Sequence, residues 1–311
     1  MRIVFMGTPD FAVESLKILV ENRYEVVGVV TMPDKPGGRG QKLQFSPVKQ
    51  YALDFKLPLL QPEKLKDDAF LEELKNLKAD LQIVVAFRML PEVVWNMPKY
   101  GTFNLHASLL PQYRGAAPIN WAIINGEKET GATTFFLTHE IDTGKIILQE
   151  KFEINEDDNA GIVHDKLMIM GSELVKKTVD LLLEDKIEAI DQSQFINSTQ
   201  ELKPAPKIFK ETCEIKPILT VEGAYNFVRG LSPYPTAWIE VQFPRQSEKM
   251  ILKVYEAEKE PEVHNLPLGT LVTDRKRYAK IALVDGFIVL KKVQAPGKKR
   301  MDIDELLRGL R

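Results

Sequence analysis

The sequence predicts an α/β protein in which a mostly parallel, doubly wound sheet is followed by a small β-barrel domain. Over about the first 190 residues, short apolar segments alternate with helical patterns, which is typical of parallel strands joined by helical crossovers. The segment LQIVVAF (81–87) is apolar throughout, as expected for a strand covered on both faces. Beyond residue 206 the pattern changes to short strands separated by turns, which favours a barrel.

The N-terminal elements support the predicted sheet one after another. Strands are predicted at 3–7, 26–31, 58–61, 81–87 and 101–108, with a late strand pair at 132–138 and 145–154. Helices are predicted at about 9–20, around 117–124 and over about 160–185. The last helix is long and amphipathic. Together these elements form a predicted domain at 1–188.

A polar, proline-bearing segment at 189–206 shows little periodicity and is predicted to be a linker. The predicted second domain covers 207–311. It starts with a short helix at 221–231 and continues with strands at 236–243, 250–258, 269–274, 280–286 and 287–294. Five strands separated by turns are consistent with a barrel of the oligonucleotide-binding type.

Length and composition favour a soluble protein of two domains. A chain of 311 residues is too long for one ordinary core, and 44% hydrophobic with 28% charged residues is usual for globular proteins. No apolar run approaches the length of a membrane span, and MRIVFMG leads into a strand without a signal-peptide pattern. Cys213 is the only cysteine, which excludes an internal disulfide and fits a reducing compartment. We expect a cytoplasmic monomer.

Charge is divided unevenly along the chain. Residues 1–203 carry 23 Lys and Arg against 30 Asp and Glu, whereas residues 204–311 carry 19 against 14. Nine of the basic residues lie within 275–300, where Asp285 is the only acidic residue. A run of charge is usually a solvated face, but its concentration in one domain favours a polyanionic partner.

The stretch FNLHASLLPQYRGAAPI (103–119) carries the candidate catalytic residues. Asn104 and His106 lie two residues apart, so on a strand they share one face. The carboxyl end of such a strand is where α/β sheets bind their ligands. Asp142, in HEIDTGKI, adds a carboxylate. An amide that binds a carbonyl, an imidazole that stabilises an oxyanion or moves a proton, and a carboxylate would together serve acyl transfer to an amine.

Other interpretations stay open on the residues alone. His106 could be a satisfied core histidine, and Asp142 before Thr-Gly could hold a turn. A metal site from His106, His139 and Asp142 matches no ligand spacing, and Ser108 lacks the nucleophile elbow that a hydrolase triad needs. Dinucleotide-binding, P-loop and zinc-protease motifs are absent from the sequence.

The motif NLHASLLPQYRGAAPI together with IDTG resembles the folate-dependent formyltransferases. GTPDFA, MPDKPGGRGQKLQFSPVK, VRGLSPYPTAWIEV and QAPGKKRM further match the members of that family that act on initiator methionyl-tRNA. The resemblance therefore covers almost the whole chain. It implies a Rossmann-like catalytic domain, a C-terminal barrel, 10-formyltetrahydrofolate as formyl donor and initiator methionyl-tRNA as acceptor, with no metal.

The resemblance also implies roles residue by residue. The catalytic residues of the family fall on Asn104, His106 and Asp142. The residues implied to line the folate site are Phe87, Arg88, Leu90, Ser108, Leu109, Leu110 and Pro111. Arg39, in the GGRG loop, matches a loop arginine that contacts tRNA. The other candidates for tRNA binding are Lys42, Lys298, Lys299 and Arg300. The segment AFRMLP (86–91) is one residue shorter than the A-Y-G-x-x-L-P form of the family.

Three rival functions stay open beside this one. A glycinamide ribonucleotide formyltransferase or an amino-sugar nucleotide formyltransferase would share the catalytic set, but the GGRG loop argues against both. A non-catalytic RNA-binding module would not need the intact set of Asn104, His106 and Asp142. Incubation with a formyl donor and each acceptor separates these functions.

Overall fold

The computed structural model describes residues 1–37, 42–196, 201–244 and 246–310, apart from the side chains of residues 36, 37 and 42. The chain divides into two compact units. The first consists of Met1–Arg114, Gly131–Phe152 and His164–Lys203, and the second of Gly115–Thr130, Glu153–Val163 and Pro204–Arg311. The domain limits predicted from the sequence, 1–188 and 207–311, stay a prediction beside this division.

The elements from the N-terminus to residue 183 alternate between strands and helices. The strands are β1 (Arg2–Gly7), β2 (Glu25–Val30), β3 (Lys35–Gly37), β4 (Lys42–Gln44), β5 (Leu59–Leu60), β6 (Leu81–Val85), β7 (Thr102–His106), β8 (Glu129–Phe136) and β9 (Ile146–Glu153). The helices are α1 (Asp10–Glu21), α2 (Pro47–Asp54), α3 (Asp68–Asn76), α4 (Glu92–Trp95), α5 (Pro118–Ile124) and α6 (Ala160–Leu183).

One large sheet runs in the order β5-β2-β1-β6-β7-β8-β9, while β3 and β4 form a separate hairpin. The neighbours from β5 to β7 pair in parallel, and β7 pairs with β8 antiparallel. Every residue of β6 is buried, as predicted for a strand covered on both faces. The mostly parallel, Rossmann-like sheet is thus confirmed, and it brings the carboxyl ends of β1, β6 and β7 to one edge.

The core of this sheet follows from the two periodicities of its elements. Val4 and Met6 of β1 lie two residues apart and pack into one buried cluster with Phe70 and Leu74 of α3, which lie four apart. Asp67 caps α3 by accepting hydrogen bonds from the amides at 69 and 70. Neither α2 nor α3 is predicted from the hydrophobic pattern of the sequence.

The second unit contains the remaining elements of the chain. They are α7 (Val221–Leu231), β10 (Ala237–Val241), β11 (Met250–Pro261), β12 (Leu271–Thr273), β13 (Ala279–Leu283), β14 (Gly286–Gln294), β15 (Met301–Asp302) and α8 (Ile303–Gly309). The strand order is β10-β11-β14-β13-β12, with β15 added to β14, and all pairs are antiparallel. The two outermost described strands, β10 and β12, do not pair with each other, so the predicted barrel has the form of a half-barrel.

An apolar core stabilises the second unit. Leu252 and Val254 of β11 and Ile288 and Leu290 of β14 are fully buried and belong to one cluster with α7. The two-residue spacing places each pair on the inner face of the sheet. Alternate residues of β11 are therefore exposed, and several of them are glutamates.

Candidate active site

Strand β7 brings Asn104 and His106 to the carboxyl edge of the large sheet. Asn104 lies opposite Val84 of β6 and Phe135 of β8, and it is half-buried. Its side-chain amide has no hydrogen-bond partner among the described residues. His106 lies two residues further on, on the same face of the strand. The predicted pair is thus placed together, and its amide is free to bind a ligand.

The ring of His106 is buried, with 6% of the residue exposed. Its Nε2 lies 2.8 Å from the backbone carbonyl of Tyr113. Because a carbonyl oxygen only accepts hydrogen bonds, Nε2 must carry a hydrogen. The other ring nitrogen, Nδ1, lies 3.8 Å from Oδ2 of Asp142. The side of His106 that can take part in chemistry is therefore Nδ1, the side that faces the carboxylate.

Asp142 lies in the turn between β8 and β9. Its φ of 55° is left-handed, a conformation that short polar residues tolerate better than most. Two residues later, a Cβ added to Gly144 would lie 1.6 Å from the carbonyl oxygen of Phe136, so only glycine fits there. The side chain of Asp142 is 14% exposed. The tight turn thus places the carboxylate of Asp142 beside the imidazole of His106.

The turn after β6 offers unused backbone groups at the same edge. The N–H and C=O groups of residues 87–90 have no hydrogen-bond partner within the described chain. Arg88 holds this turn by donating to the carbonyl of Pro62 and, at 2.8 Å, to that of Glu63. Burial lowers the pKa of the Arg88 guanidinium. Phe87 and Leu90 pack in the cluster beneath the turn.

The segment that follows His106 is held by buried hydrogen bonds. Thr133 Oγ1 donates to the carbonyl of Ser108 at 2.7 Å, and the amide of Leu110 donates to that same hydroxyl at 3.1 Å. Ser108, Leu110 and Pro111 are buried, and Leu109 is half-buried. Of the predicted folate-lining residues in this segment, only Leu109 therefore keeps part of its side chain accessible.

Sequence reasoning does not find the residues that hold the backbone carbonyl to which His106 Nε2 is bonded. The amide of Tyr113 donates to the carbonyl of Lys203 at 2.7 Å. Gln112 donates to the carbonyl of Glu201 at 3.0 Å and accepts from the amide of Lys203 at 2.9 Å. These bonds hold the Tyr113 carbonyl that orients the imidazole. No signal in the sequence links positions 112 and 203, because their contact spans about ninety residues of chain.

The predicted tRNA-binding residues differ in whether their charge is already paired with a carboxylate. Lys298 and Lys299 are exposed and have no carboxylate partner among the described residues. Arg300 donates to Glu256 at 2.8 Å and stacks on Tyr255, with its guanidinium 4.4 Å from the ring centroid. Arg39 lies outside the described residues, as does the side chain of Lys42.

Much of the basic cluster at 275–300 is neutralised by glutamates on or next to β11. Three of its lysines form ion pairs there: Lys280 with Glu260 and Glu262, Lys291 with Glu258, and Lys292 with Glu256. The cationic face predicted from the count of charges is therefore smaller than the count suggests.

Two features are absent from the described part of the chain. It contains no group of three or more His, Cys, Asp and Glu side chains placed to hold a metal ion. None of its helices combines the length and the apolar character needed to cross a bilayer.

Two family models match the chain. The model described as "Formyl transferase" matches residues 1–179, and that described as "Formyl transferase, C-terminal domain" matches residues 207–311. The first includes Asn104, His106 and Asp142, and together the two models cover most of the chain.

Curated relatives align with the chain over its full length. A protein of Bacteroides thetaiotaomicron named methionyl-tRNA formyltransferase is 64% identical over 311 residues, which is 100% of this chain and 96% of that protein. A protein of the same name from Parabacteroides distasonis is 63% identical over 312 residues, with the same shares of the two chains.

Solved structures resemble the chain more distantly. An N-formyltransferase from Helicobacter canadensis, in complex with folinic acid and dTDP-3-aminofucose, has a TM-score of 0.67 at 22% identity. The similarity covers 94% of this chain and 98% of that one. HypX from Aquifex aeolicus, in complex with tetrahydrofolic acid, has a TM-score of 0.63 at 18% identity, over 99% of this chain and 47% of that one. At such identities the likeness supports the fold only.

Proposed function

The chain belongs to the formyl transferase family, and we propose that it transfers the formyl group of 10-formyltetrahydrofolate to the free amino group of methionine on initiator methionyl-tRNA. The observation that carries this proposal is the full-length identity of 63–64% to proteins named methionyl-tRNA formyltransferase. The site geometry supports the same chemistry, because a free amide, an imidazole and a carboxylate meet at one sheet edge.

The reaction exchanges one amide bond for another. The amine nitrogen of methionine attacks the formyl carbon, and a tetrahedral intermediate forms with negative charge on the formyl oxygen. The bond from the formyl carbon to N10 of the folate then breaks. One proton leaves the attacking amine and one is gained at N10, so the exchange needs neither an oxidant nor a reductant.

The described residues can supply each of these needs. The free amide of Asn104 donates a hydrogen bond to the formyl oxygen and stabilises its developing charge. His106 uses Nε2 to hold Tyr113, so only Nδ1 is left to stabilise the oxyanion or to carry a proton. The carboxylate of Asp142, 3.8 Å from Nδ1, stabilises the protonated imidazole and relays protons directly or through water.

The donor fits the same edge of the sheet. A pterin ring presents several hydrogen-bond donors and acceptors along its rim, and the backbone groups of residues 87–90 are unused. Arg88 fixes that turn through its hydrogen bonds to the carbonyls of Pro62 and Glu63. The chain at 108–111 lines the other side, where Leu109 offers a partly accessible side chain. Asn104 and His106 lie on β7 between these two segments.

The acceptor is held by contacts of basic side chains with its phosphates. Lys298 and Lys299 are exposed cations without a carboxylate partner in the described chain, so their charge is available to a polyanion. Arg300 contributes less, because it is paired with Glu256. We assign a second contact to Arg39 and Lys42, which lie along the sequence between Gly37 and Leu43.

A single assay tests the proposal and its rivals. The full chain is incubated with 10-formyltetrahydrofolate and one of three acceptors: initiator methionyl-tRNA, glycinamide ribonucleotide or a dTDP-amino sugar. We expect formylation of the aminoacyl-tRNA alone, and none of the uncharged tRNA. Formylation of either small amine in preference to methionyl-tRNA would overturn the acceptor assignment. Binding of tRNA without any transfer would favour the non-catalytic RNA-binding module.

A further inference from the structure

Gln192 is a buried polar residue in the segment 189–206, which its composition predicts to be a linker. It begins a short 3-10 helix, Gln192–Phe195, and only 2% of the residue is exposed. Two residues earlier, Ile190 exchanges two backbone hydrogen bonds of 2.8 Å with Ile146 at the start of β9. The segment is therefore anchored beside the turn that carries Asp142.

The amide of Gln192 has all of its hydrogen-bonding capacity in use. Its Nε2 donates to the backbone carbonyls of Asp142 at 2.9 Å and Gly144 at 2.8 Å. Its Oε1 accepts from Arg114, at 3.1 Å from Nε and 2.6 Å from Nη2. A buried amide with two donors and two acceptor positions filled is fixed in orientation. We call these contacts the Arg114–Gln192 brace.

The brace completes a ring of contacts around the catalytic pair. His106 Nε2 bonds to the carbonyl of Tyr113, and the chain continues directly to Arg114. Arg114 bonds to Gln192, Gln192 bonds to the backbone of Asp142, and the Asp142 carboxylate faces His106 Nδ1 at 3.8 Å. Each member of the ring is held by its two neighbours, so the separation of imidazole and carboxylate depends on all of them.

We propose that Gln192 and Arg114 are positioning residues that set the distance between His106 and Asp142 for formyl transfer. The proposal rests on the function proposed above. Neither side chain needs to touch a substrate. Their effect is on the geometry of the pair, and a catalytic pair must be held to within about half an ångström to work at full rate.

Two substitutions each remove a different set of hydrogen bonds from the Arg114–Gln192 brace. In Q192E the new carboxylate still accepts from Arg114 but cannot donate to the carbonyls of Asp142 and Gly144. In R114M the Oε1 of Gln192 loses its donor, whereas the Nε2 of Gln192 can still donate to the carbonyls of Asp142 and Gly144. Gln194 lies in the same 3-10 helix but is exposed, so Q194A is the matched control.

The experiment measures kcat and KM for both substrates in the full chain, together with amide hydrogen exchange at 138–145. For Q192E and R114M we expect kcat to fall about tenfold or more, with KM for tRNA and donor within about twofold of the parent. The double variant should lose no more than either single variant, because both open the same ring. Exchange at 138–145 should be faster in Q192E and unchanged in Q194A.

The outcomes separate this proposal from the proposed function. If the parent chain transfers formyl groups and both variants keep kcat within twofold, the brace has no positioning role. If Q192E fails to fold, R114M alone decides the matter. If the parent chain transfers no formyl group, the proposed function fails, and the exchange data then stand alone. Faster exchange in Q192E supports the brace in that case, whereas equal exchange in Q192E and Q194A overturns it.

Discussion

At the scale of single residues, the two candidate catalytic side chains on β7 differ in how much of their hydrogen-bonding capacity the fold already uses. Asn104 keeps its whole amide free among the described residues, whereas His106 commits Nε2 to Tyr113. The fold thus leaves one amide and one ring nitrogen for chemistry. Their roles should therefore be separable from any role in folding.

We predict that N104A and H106A each lower kcat about a hundredfold or more, because each removes a group that acts on the developing oxyanion. The KM for methionyl-tRNA should stay near that of the parent, since neither residue lies among the tRNA-binding candidates. Steady-state kinetics with both substrates test this. E73Q, a change at an exposed position of α3, serves as the control. An equal loss of affinity and rate would indicate a role in folding instead.

Arg88 yields a second prediction at this scale. Its guanidinium ties the turn at 87–90 to the carbonyls of Pro62 and Glu63. We expect R88A to raise the KM for the formyl donor by about tenfold, because the unused backbone groups then lose their fixed geometry. The KM for tRNA should not change. Donor titrations at saturating tRNA measure the effect. A raised KM for both substrates would contradict a local role.

The sequence identifies some of these residues and cannot identify others. Asn104 and His106 are predictable because the two-residue period of a strand is a local property. Tyr113 and Gln192 act through contacts with residues far away along the chain, as in the bonds from Gln192 to Asp142 and Gly144. Such contacts exist only once the sheet has formed. At 189–206 the polar residues and prolines predict a linker, and they contain no signal for the hydrogen bonds that Gln192 makes there.

At the scale of elements, strand β11 neutralises lysines of the adjacent strand β14. Its inner face fills the core, and its outer face carries glutamates that pair with Lys291 and Lys292 of β14. Lys298 and Lys299, beyond the end of β14, have no such partner in the described residues. Lys298 and Lys299 are therefore better able to bind phosphate than Lys291 and Lys292, although the two pairs carry the same charge.

We predict different salt dependences for two double variants that remove the same charge. K298A/K299A should reduce the slope of log K for tRNA against log salt by about two, since each free lysine contacts about one phosphate. K291A/K292A should leave the slope nearly unchanged, because those lysines are already paired. Binding titrations from low to moderate salt provide the slopes. Equal slopes for the two variants would show that the tRNA contact lies elsewhere.

The base of the β3–β4 hairpin provides a prediction about pH. Lys49 Nζ lies 2.5 Å from Asp34 Oδ2, and Gln61 donates to Asp34 Oδ1 at 3.0 Å. The hydrogen bonds from Lys49 and then Gln61 lower the pKa of Asp34. Since the unfolded chain binds the proton first as the pH falls, the ion pair stabilises the fold above about pH 4 and is lost below it.

D34N should therefore lower the thermal midpoint of unfolding at neutral pH, and its difference from the parent should shrink as the pH falls below about 4. Thermal unfolding of both proteins across this range measures the difference. E72Q, which removes an exposed carboxylate of α3 that has no partner in the described chain, is the matched control. A difference between D34N and the parent that persisted in acid would exclude the ionised pair as its cause.

Some secondary-structure elements are easier to predict from the sequence than others. Continuous or alternating apolar runs predict β1, β6 and β14, because short runs of this kind are typical of strands that line a core. The helices α2 and α3 span only 8 and 9 residues, so their periodicity covers little more than two turns. Their caps are the better signal. Ser46 followed by Pro47, and Asp67, each mark a helix start that periodicity alone does not.

At the scale of the whole molecule, the chain returns repeatedly to a unit that it has already left. The first unit takes its last residues from 164–203, after two excursions into the second unit. Residues 190–192 attach to β9 and to the Asp142 turn, and residues 201–203 attach to Gln112 and Tyr113. The final part of the first unit thus supports both sides of the His106–Asp142 pair.

This arrangement determines how far an N-terminal fragment must extend to keep both supports of the His106–Asp142 pair. A fragment that stops at 188 retains all three candidate catalytic residues but lacks the supports at 190–192 and 201–203. A fragment that stops at 203 keeps both. We expect folinic acid to raise the thermal midpoint of the longer fragment more than that of the shorter one, as ligand-linked stabilisation requires. For dissection of the enzyme, the last useful cleavage point is then defined by the hydrogen bonds of Lys203 and not by the end of the last long helix.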